Sequence, residues 1–177
     1  MSILLIGLDE ERGPAIVRRL LDEGDVVGVI EDDARRSDVW RALGAHVAVG
    51  SGRDPDLVER AAQHARSIVV LARGGHDAEV LAAVLQGARL APGGAARIVY
   101  VTDESRPEEN SILEASAFDY VVLRTGGRRG FIRRGRAVDP DDLAEAVSAA
   151  DDLAGEPRLD VDLTDPAGRS ALALGPS

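Results

Sequence analysis

Short apolar runs alternate with amphipathic stretches along most of this chain. The runs are four to six residues long and rich in Val, Ile and Leu, which is too short for buried helices and typical of buried strands. Strands are therefore predicted at residues 2–7, 26–31, 46–49, 67–72, 97–102, 119–123 and 159–163.

The stretches between these runs carry apolar residues at helical spacing. Gly24 follows the end of the first such stretch, as glycine often follows a helix, and Asp54 and Pro55 suit an N-cap and a first helical position. Helices are predicted at residues 11–23, 37–43, 54–64, 78–90, 111–116 and 139–153.

Strands that alternate with helices imply crossover units and a mostly parallel sheet. The near-continuous apolar character of the strands indicates that both faces of the sheet are covered. The predicted fold class is α/β, a doubly wound, Rossmann-like parallel sheet in a single layer with helices on both faces. Residues 1–163 are predicted to form one domain, and residues 164–177 a flexible C-terminal tail.

Composition narrows the possible partners and location. Aromatic residues make up 3% of the 177 residues, so the core must be aliphatic. The low aromatic content also argues against a stacking platform for single-stranded nucleic acid. A net charge of −10 repels nucleic acid and anionic membranes. No leader segment and no apolar run of about 18 residues is found, so we expect a cytoplasmic protein.

Two amino acids are missing altogether. Without cysteine the chain cannot form disulfides, Fe–S clusters or a reactive thiol. The chain also has no lysine, so all 21 basic residues are arginine. This excludes a Schiff-base lysine, a Walker-type phosphate loop and the Tyr-x-x-x-Lys pair of ordinary short-chain dehydrogenases. No metal-ligand cluster is apparent, and no metal is expected.

Several segments resemble the NmrA-like, atypical short-chain dehydrogenase family. They are residues 45–57 (AHVAVGSGRDPDL), 61–72 (AAQHARSIVVLA), 117–127 (AFDYVVLRTGG) and 139–150 (DPDDLAEAVSAA). The resemblance covers most of the chain. It implies a parallel sheet with NAD or NADP lying across the carboxyl ends of the strands, where the strand order reverses.

A second resemblance covers residues 3–123. This part of the chain, from GAHVAVG through ARIVYVTDES to FDYVV, is similar to the nucleotide-binding half of RCK-type potassium-channel regulatory domains. The arginine in VVLRTGG and the later DPDDLAEAV helix favour the dehydrogenase-like family. Both families imply a dinucleotide-type fold.

The turn after the first strand has an altered phosphate loop. Gly7 and Gly13 hold the outer places of the family's Gly-x-x-Gly-x-x-Gly spacing, but Glu10 holds the central one. A side chain then stands where the backbone should approach phosphate, and it is an anion flanked by Asp9 and Glu11. Carboxylates also suit a helix N-terminus, where they take the position a phosphate would use. Arg12 can partly neutralise this acidic turn.

Further candidates for cofactor binding follow the next strands. Glu31 and Asp32 end the second strand, where an acid would bond the ribose hydroxyls and favour NAD, whereas Arg35 and Arg36 would hold a 2′-phosphate. A solvated charged turn is the alternative. Ser51 lies where the family usually has an acid near adenine. After the fourth strand come the remaining candidates, Ala72, Arg73 and Gly74.

Two residues are candidates for acid–base or positioning roles in catalysis. His76 is the best placed of the three histidines, although a lone loop histidine is usually just solvated. Thr102 ends the fifth strand, where the family often has a serine. Tyr100 is followed four places later by Glu104, and Tyr120 lies inside a strand, so neither belongs to a Tyr/Lys pair.

Six arginines fall between residues 124 and 136: Arg124, Arg128, Arg129, Arg133, Arg134 and Arg136. This basic patch follows the sixth strand, near the strand ends where ligands bind. It is a candidate site for an anionic small ligand, a cofactor phosphate or an acidic partner, and a solvated loop is the alternative. Nucleic acid is disfavoured by the acidic remainder of the surface.

Three functions remain open. The first is a non-catalytic, regulatory or ligand-sensing protein on a dehydrogenase-like fold, favoured by the missing Tyr/Lys pair. The second is an NAD(P)-dependent oxidoreductase or isomerase that needs a partner subunit. The third is a degenerate Rossmann domain that acts as a structural or assembly protein, as a homo- or hetero-oligomer.

Overall fold

A computed structural model describes residues 2–93, 97–103, 106–126, 128–129, 132–133, 138–155 and 157–173. Nine strands and seven helices are assigned within these ranges. The strands are β1 (Ser2–Ile6), β2 (Val26–Glu31), β3 (His46–Val49), β4 (Ala65–Leu71), β5 (Arg97–Thr102), β6 (Asp119–Arg124), β7 (Arg128–Arg129), β8 (Ile132–Arg133) and β9 (Arg158–Asp162). The helices are α1 (Gly13–Asp22), α2 (Ala34–Leu43), α3 (Pro55–Ala61), α4 (Asp77–Leu90), α5 (Pro107–Glu114), α6 (Pro140–Asp152) and α7 (Pro166–Ala171).

Seven strands form one parallel sheet in the order β3-β2-β1-β4-β5-β6-β9. The chain winds from β1 through β2 to β3 on one side, then crosses back to place β4 on the other side of β1. The strand order therefore reverses between β1 and β4, and the crevice outside their carboxyl ends is where open α/β sheets bind ligands. This architecture confirms the predicted Rossmann-like fold class.

Apolar side chains cover both faces of the sheet, as the continuous strand patterns predict. Alternation along β1 sends Ile3 and Leu5 into one buried cluster and Leu4 and Ile6 into another. The first cluster lies under α1, α2 and α6, and the second under α3, α4 and α5. Both are almost entirely aliphatic, with Trp40 buried in the first and Tyr100 in the second.

Helix ends differ from the predicted bounds where caps decide them. Helix α5 begins at Pro107 rather than at residue 111, because proline is well suited to the first helical position. Helix α2 begins at Ala34, since the Asp33 side chain accepts the Arg35 N–H and caps it. Within the described ranges, no helix has the length and apolar character needed to cross a membrane.

The prediction of a flexible tail from residue 164 onward is wrong for residues 164–173. Helix α7 forms there, with the Asp165 carboxylate accepting the Ala167 N–H at its N-terminus. Leu163 and Leu172 are buried in the first cluster, so burial of apolar surface holds this segment on the domain. Residues 174–177 lie outside the described part of the chain.

Candidate functional site

Two clefts open at the carboxyl edge of the sheet, on either side of the crevice between β1 and β4. Each has a volume of about 240 Å³. They meet at Arg73 and Gly74, which line both. The first cleft follows the ends of β1, β2 and β4. Its lining includes Gly7, Glu31, Asp32, Ser51, Gly52, Arg53, Arg73, Gly74, His76 and Asp77. The second is lined by Asp9, Arg12, Ala72, Arg73, Gly74, Asp103 and Arg106.

The two glycines of the turn after β1 have the geometry that their spacing predicts. Gly7 has a φ of +78°, and a Cβ there would collide with the Leu71 carbonyl oxygen of the neighbouring strand. A Cβ on Gly13 would lie 2.6 Å from Cη2 of Trp40. The first glycine therefore allows the tight turn beside β4, and the second lets α1 pack closely on α2.

Asp9 folds back onto this same turn. Its Oδ1 accepts the N–H groups of Glu11 (3.1 Å) and Arg12 (2.7 Å), and its Oδ2 accepts Nε–H of Arg12 (2.7 Å). Burial by itself would raise the pKa of Asp9, but the bonds from Arg12 and Glu11 outweigh it and hold the pKa below its ordinary value. The carboxylate is therefore ionised and committed to the turn at neutral pH.

Arg12 links the turn to the far side of the second cleft. Its Nη1 lies 3.2 Å from Oδ1 of Asp103, which follows β5, and that same oxygen accepts the hydroxyl of Thr125 (2.9 Å). The guanidinium thus lies between Asp9 and Asp103, so the positive charge of Arg12 is largely balanced by these two carboxylates.

Glu10, which holds the central place of the loop, lies away from the turn's backbone donors. Its side chain is 80% exposed, and Oε1 is 3.9 Å from Nε of Arg36. Arg36 itself is anchored under the turn, where Nη2 donates to the Leu8 carbonyl and lies 3.6 Å from Glu31 Oε2. Arg36 is thus held beneath the loop in this arrangement.

The two acids that end β2 have different surroundings. The Glu31 side chain is 2% exposed, and its oxygens accept Nε1–H of Trp40 (2.9 Å) and the Asp33 N–H (3.1 Å). Asp32 is exposed and lines the first cleft. Among the described residues, no hydrogen bond or ion pair is made to the Asp32 carboxylate, so of the two acids Asp32 is the one available to a ribose hydroxyl.

The loop after β3 closes the first cleft opposite the turn. Ser51 lines it, and its hydroxyl accepts the Arg53 N–H at 3.2 Å. Gly52 contacts the end of β1 so closely that a Cβ would lie 2.7 Å from Cγ2 of Ile6. The Arg53 guanidinium reaches Glu79 of α4 at 3.5 Å, which places a cation on the cleft wall.

The loop after β4 joins the two clefts. The Asp77 carboxylate accepts the N–H groups of Arg73 (2.9 Å) and Gly74 (2.9 and 3.1 Å), and it lies 3.3 Å from Nη1 of Arg106. Ala72 donates its N–H to the Val101 carbonyl and lines the second cleft. No ion pair to the Arg73 guanidinium occurs among the described residues, so a cation stands at the junction.

The two candidate catalytic residues lie in contrasting places. His76 lines the first cleft, is 63% exposed and has Nδ1 3.1 Å from Oε1 of Glu79. This contact, with Arg53, holds the pKa of Glu79 below its usual value. Thr102 is 1% exposed and lies beside the Tyr100 hydroxyl, under the sheet edge.

Tyr100 belongs to a buried polar cluster behind the second cleft. Burial is the largest cause of a strongly raised pKa for this phenol, and the carboxylates of Asp77 and Glu109 add to it, while Arg106 and Thr102 oppose it. Arg106 lies 3.9 Å from Glu109 and so partly neutralises the cluster. Tyr100 is therefore neutral at physiological pH.

We expect the raised pKa of Tyr100 to make the free energy of unfolding decrease at alkaline pH. Because the folded-state pKa of Tyr100 is raised, the stability that its neutral phenol contributes is complete below the unfolded pKa of about 10 and is lost as the pH rises further. The chain has no Lys or Cys and two tyrosines, so the phenols are the side chains that titrate in this range. We expect the stability difference between wild type and Tyr100→Phe, measured by urea unfolding, to be constant up to about pH 10 and to fall above it.

Tyr120→Phe is the matched control, since the Tyr120 ring lies at the amino end of β6, 5.8 Å from the Arg158 guanidinium. The comparison of wild type with this variant gives the effect of removing a tyrosine hydroxyl outside the buried cluster. A flat profile for Tyr100→Phe would contradict a raised pKa at Tyr100.

The arginine patch at residues 124–136 falls mostly outside the described side chains. Arg124 makes an ion pair with a carboxylate of β9 at 2.8 Å. The backbone of β7 (Arg128–Arg129) pairs antiparallel with that of β8 (Ile132–Arg133). The expectation of an anionic ligand at this patch therefore stays a prediction.

Sequence reasoning missed four charged residues of the clefts: Arg53, Asp77, Asp103 and Arg106. Asp77 had a signal, because an acid immediately before a predicted helix and shortly after two glycines is typical of a side chain that binds nearby backbone N–H groups. Asp103 directly follows a predicted strand end. The two arginines carry no local pattern that separates them from the other nineteen.

Fold and clefts together define a class of protein. The sheet order, the glycine turn after β1 and the position of the clefts are those of a Rossmann domain of the NAD(P)-binding type. A family model, that of the TrkA-N domain, matches residues 3–124. The chain therefore belongs to the TrkA-N domain family. No curated protein matches it.

Solved structures similar to this chain are reductases and related enzymes. ChuY, an anaerobillin reductase from Escherichia coli O157:H7, has a TM-score of 0.76 and 20% identity over 100% of both chains. A triphenylmethane reductase from Citrobacter sp., complexed with NADP(H), has a TM-score of 0.73 and 14% identity over 94% of this chain and 70% of that one. A wide-type short-chain dehydrogenase/reductase from Veillonella parvula DSM 2008, in complex with NADP, has a TM-score of 0.71 and 14% identity over 94% and 95%. Neighbours of this kind fit the NmrA-like resemblance, and at such low identity they show the fold.

Proposed function

We propose that this protein is a ligand-sensing Rossmann domain that binds an adenine nucleotide of the NAD(P) class in the first cleft, and that it performs no dehydrogenase chemistry by itself. The observation that carries the proposal is the open cleft at the reversal of strand order, with Asp32 on one wall and Arg73 at its end. A carboxylate there can accept both ribose hydroxyls, and a guanidinium can pair with phosphate.

The residues present fit one half of a dinucleotide better than the other. Glycine walls at Gly7 and Gly52, with the side chains of Ser51 and Asp32, suit the flat base and the ribose of an adenosine. The turn that should receive the diphosphate instead has its donors bonded to Asp9. The fit therefore supports adenosine binding and does not support a conventional diphosphate site.

The absence of catalysis by the chain alone is inferred from its tyrosines. A nicotinamide, when bound, supplies the hydride, but ordinary short-chain dehydrogenases need a Tyr/Lys pair to move the proton. This chain has no lysine, Tyr100 is fully buried within β5, and Tyr120 lies at the opposite end of the sheet from the clefts. Neither phenol is placed to exchange a proton with a ligand at the carboxyl edge.

The proposal predicts that Asp32→Asn weakens adenosine and NAD binding about tenfold, because a charge-assisted hydrogen bond contributes about 1.5–3 kcal/mol. Binding is measured by titration calorimetry and by the thermal shift with adenosine, AMP, NAD and NADP. The preference for NAD over NADP should shrink in the variant, since the carboxylate repels a 2′-phosphate.

Asp38→Asn is the matched control, as Asp38 is also an exposed acid, lies on α2 and pairs with Arg41. This control should leave every affinity unchanged. Equal weakening by both substitutions would point to a general charge effect and would remove Asp32 from the site. If no adenine nucleotide binds the wild type, the proposal fails and a structural or assembly role becomes the better hypothesis.

A partner-completed oxidoreductase is the second candidate, and the second cleft favours it. That cleft adjoins the first at Arg73, whose guanidinium has no ion pair among the described residues and could hold an anionic substrate beside the cofactor. Turnover is followed through the absorbance of the reduced nicotinamide with a panel of carbonyl substrates. Turnover by the purified chain alone would overturn the non-catalytic proposal.

A further inference from the structure

In the turn after β1, the backbone N–H groups from Glu11 onward are bonded within the turn itself. Asp9 Oδ1 accepts the N–H groups of Glu11 and Arg12, and the Asp9 carbonyl accepts the N–H of Gly13 at 3.0 Å. The next residue is Pro14, which has no N–H. Four successive positions, from Glu11 to Pro14, therefore offer no backbone donor to a phosphate.

The charge at the turn opposes an anion as well. Asp9 places a carboxylate at the start of α1, where the helix dipole favours negative charge, so a diphosphate would have to displace it or lie beside it. The one guanidinium on the turn, that of Arg12, is bonded to Asp9 and to Asp103. A ligand phosphate would compete with two internal carboxylates for this cation.

The loop on the opposite side of the crevice repeats the arrangement. The Asp77 carboxylate accepts the N–H groups of Arg73 and Gly74, which are two of the donors that this loop could otherwise present. Its carboxylate is buried and paired with Arg106, whereas the Arg73 side chain remains exposed at the junction of the clefts. Arg73 is thus the natural contact for one terminal phosphate in the first cleft.

We propose that Asp9 is a specificity-determining residue that takes the place of the ligand diphosphate, so that the cleft recognises an adenine nucleoside or mononucleotide and gains no affinity from the rest of a dinucleotide. This inference rests on the proposed function, because it names the ligand class of the same site. The base and ribose lie in the first cleft with Asp32, and a single phosphate, where present, pairs with Arg73. The second half of a dinucleotide therefore adds nothing to its binding affinity.

The test compares the affinities of adenosine, AMP, ADP and NAD by titration calorimetry for wild type and for Asp9→Ala. In the wild type we expect NAD to bind no tighter than AMP. In Asp9→Ala the N–H groups of Glu11 and Arg12 become available, and the Arg12 guanidinium keeps Asp103 as its one carboxylate partner among the described residues. We expect ADP and NAD to bind about tenfold tighter relative to AMP, as one or two charge-assisted hydrogen bonds allow. Adenosine affinity should stay unchanged.

Two further variants serve as a charge control and as a milder substitution at position 9. Glu10→Gln removes one negative charge from the neighbouring position, where the side chain makes no contact with the turn's N–H groups, so the NAD-to-AMP ratio should be unchanged. Asp9→Asn retains an oxygen acceptor for the N–H groups of the turn, so it keeps the test usable if the alanine variant does not fold, and it should shift the ratio by an intermediate amount. Circular dichroism verifies the fold of each variant.

Each outcome decides the matter. Wild type that binds NAD ten times tighter than AMP, an Asp9→Ala ratio equal to that of wild type, or an equal shift in Glu10→Gln would each overturn the role of Asp9 while the nucleotide site itself stands. If folded wild type and folded Asp9→Ala bind none of the four ligands, the proposed function and this inference both fall. If only Asp9→Ala binds NAD, the role of Asp9 is supported and the wild-type nucleotide site is not.

Discussion

Replacement of Arg66 by alanine is expected to lower the free energy of unfolding by about 3–5 kcal/mol, measured by urea unfolding followed by circular dichroism. The Arg66 guanidinium donates to both oxygens of Asp25 (2.7 and 2.9 Å) and, through Nε and Nη2, to Oδ2 of Asp151. The bond to Asp151 is the largest cause of a raised pKa for Arg66. The Asp151 side chain is 1% exposed, so the substitution leaves a buried carboxylate without this cation.

Arg41→Ala is the control for this effect. Arg41 makes an exposed pair with Asp38 at 3.0 Å, and its removal should change the unfolding free energy by no more than about 1 kcal/mol. A similarly small loss for Arg66→Ala would mean that water reaches Asp151 once the side chain is gone. Because Arg66 lies at the amino end of β4, opposite the clefts, nucleotide binding by the folded variant should be unchanged.

Trp40→Ala is expected to destabilise the protein by a similar amount, about 3–5 kcal/mol, because it removes a large buried side chain and leaves a cavity. The ring is fully buried against Gly13, and its Nε1–H donates to Glu31. Trp40→Phe keeps most of the apolar volume and removes the donor, so we expect a smaller loss of about 1–3 kcal/mol. Unfolding is again followed by circular dichroism, since Trp40 is the one tryptophan of the chain.

Val39→Ala, on the next residue of the same helix, controls for helix propensity and surface effects. Val39 is exposed, and the change should stay within about 0.5 kcal/mol. If Trp40→Ala cost no more than Val39→Ala, the packing of α2 against the glycine turn would not contribute to stability.

The acids at the end of β2 show why the sequence predicts the site only in part. Glu31 and Asp32 are adjacent acids at a strand end, and nothing in the local sequence distinguishes them. Trp40, nine residues further on, takes the Glu31 carboxylate into the interior and leaves Asp32 at the cleft. The acid that faces the cleft is thus determined by a partner on another element.

The acids of the glycine turn behave in the same way. The altered spacing draws attention to Glu10, since it occupies the place of a glycine, yet its side chain is mostly exposed. Asp9, one residue earlier, holds the backbone donors and Arg12, and Asp103, far along the chain, completes the arrangement. The number of acids in the turn therefore predicts an acidic loop but does not identify which of them accepts the backbone N–H groups.

By itself the sequence determined the fold class, both covered faces of the sheet, the two glycines of the turn and the absence of a Tyr/Lys pair. These follow from periodicity, from the absence of a side chain in glycine and from composition, all of which are local or global properties of the chain. Tertiary structure decided which carboxylates face the clefts, that Thr102 is buried, and that the last segment packs as α7. The physical reason is that a polar side chain turns toward the partner that best satisfies its charge and hydrogen bonds, and here those partners lie on elements distant in sequence.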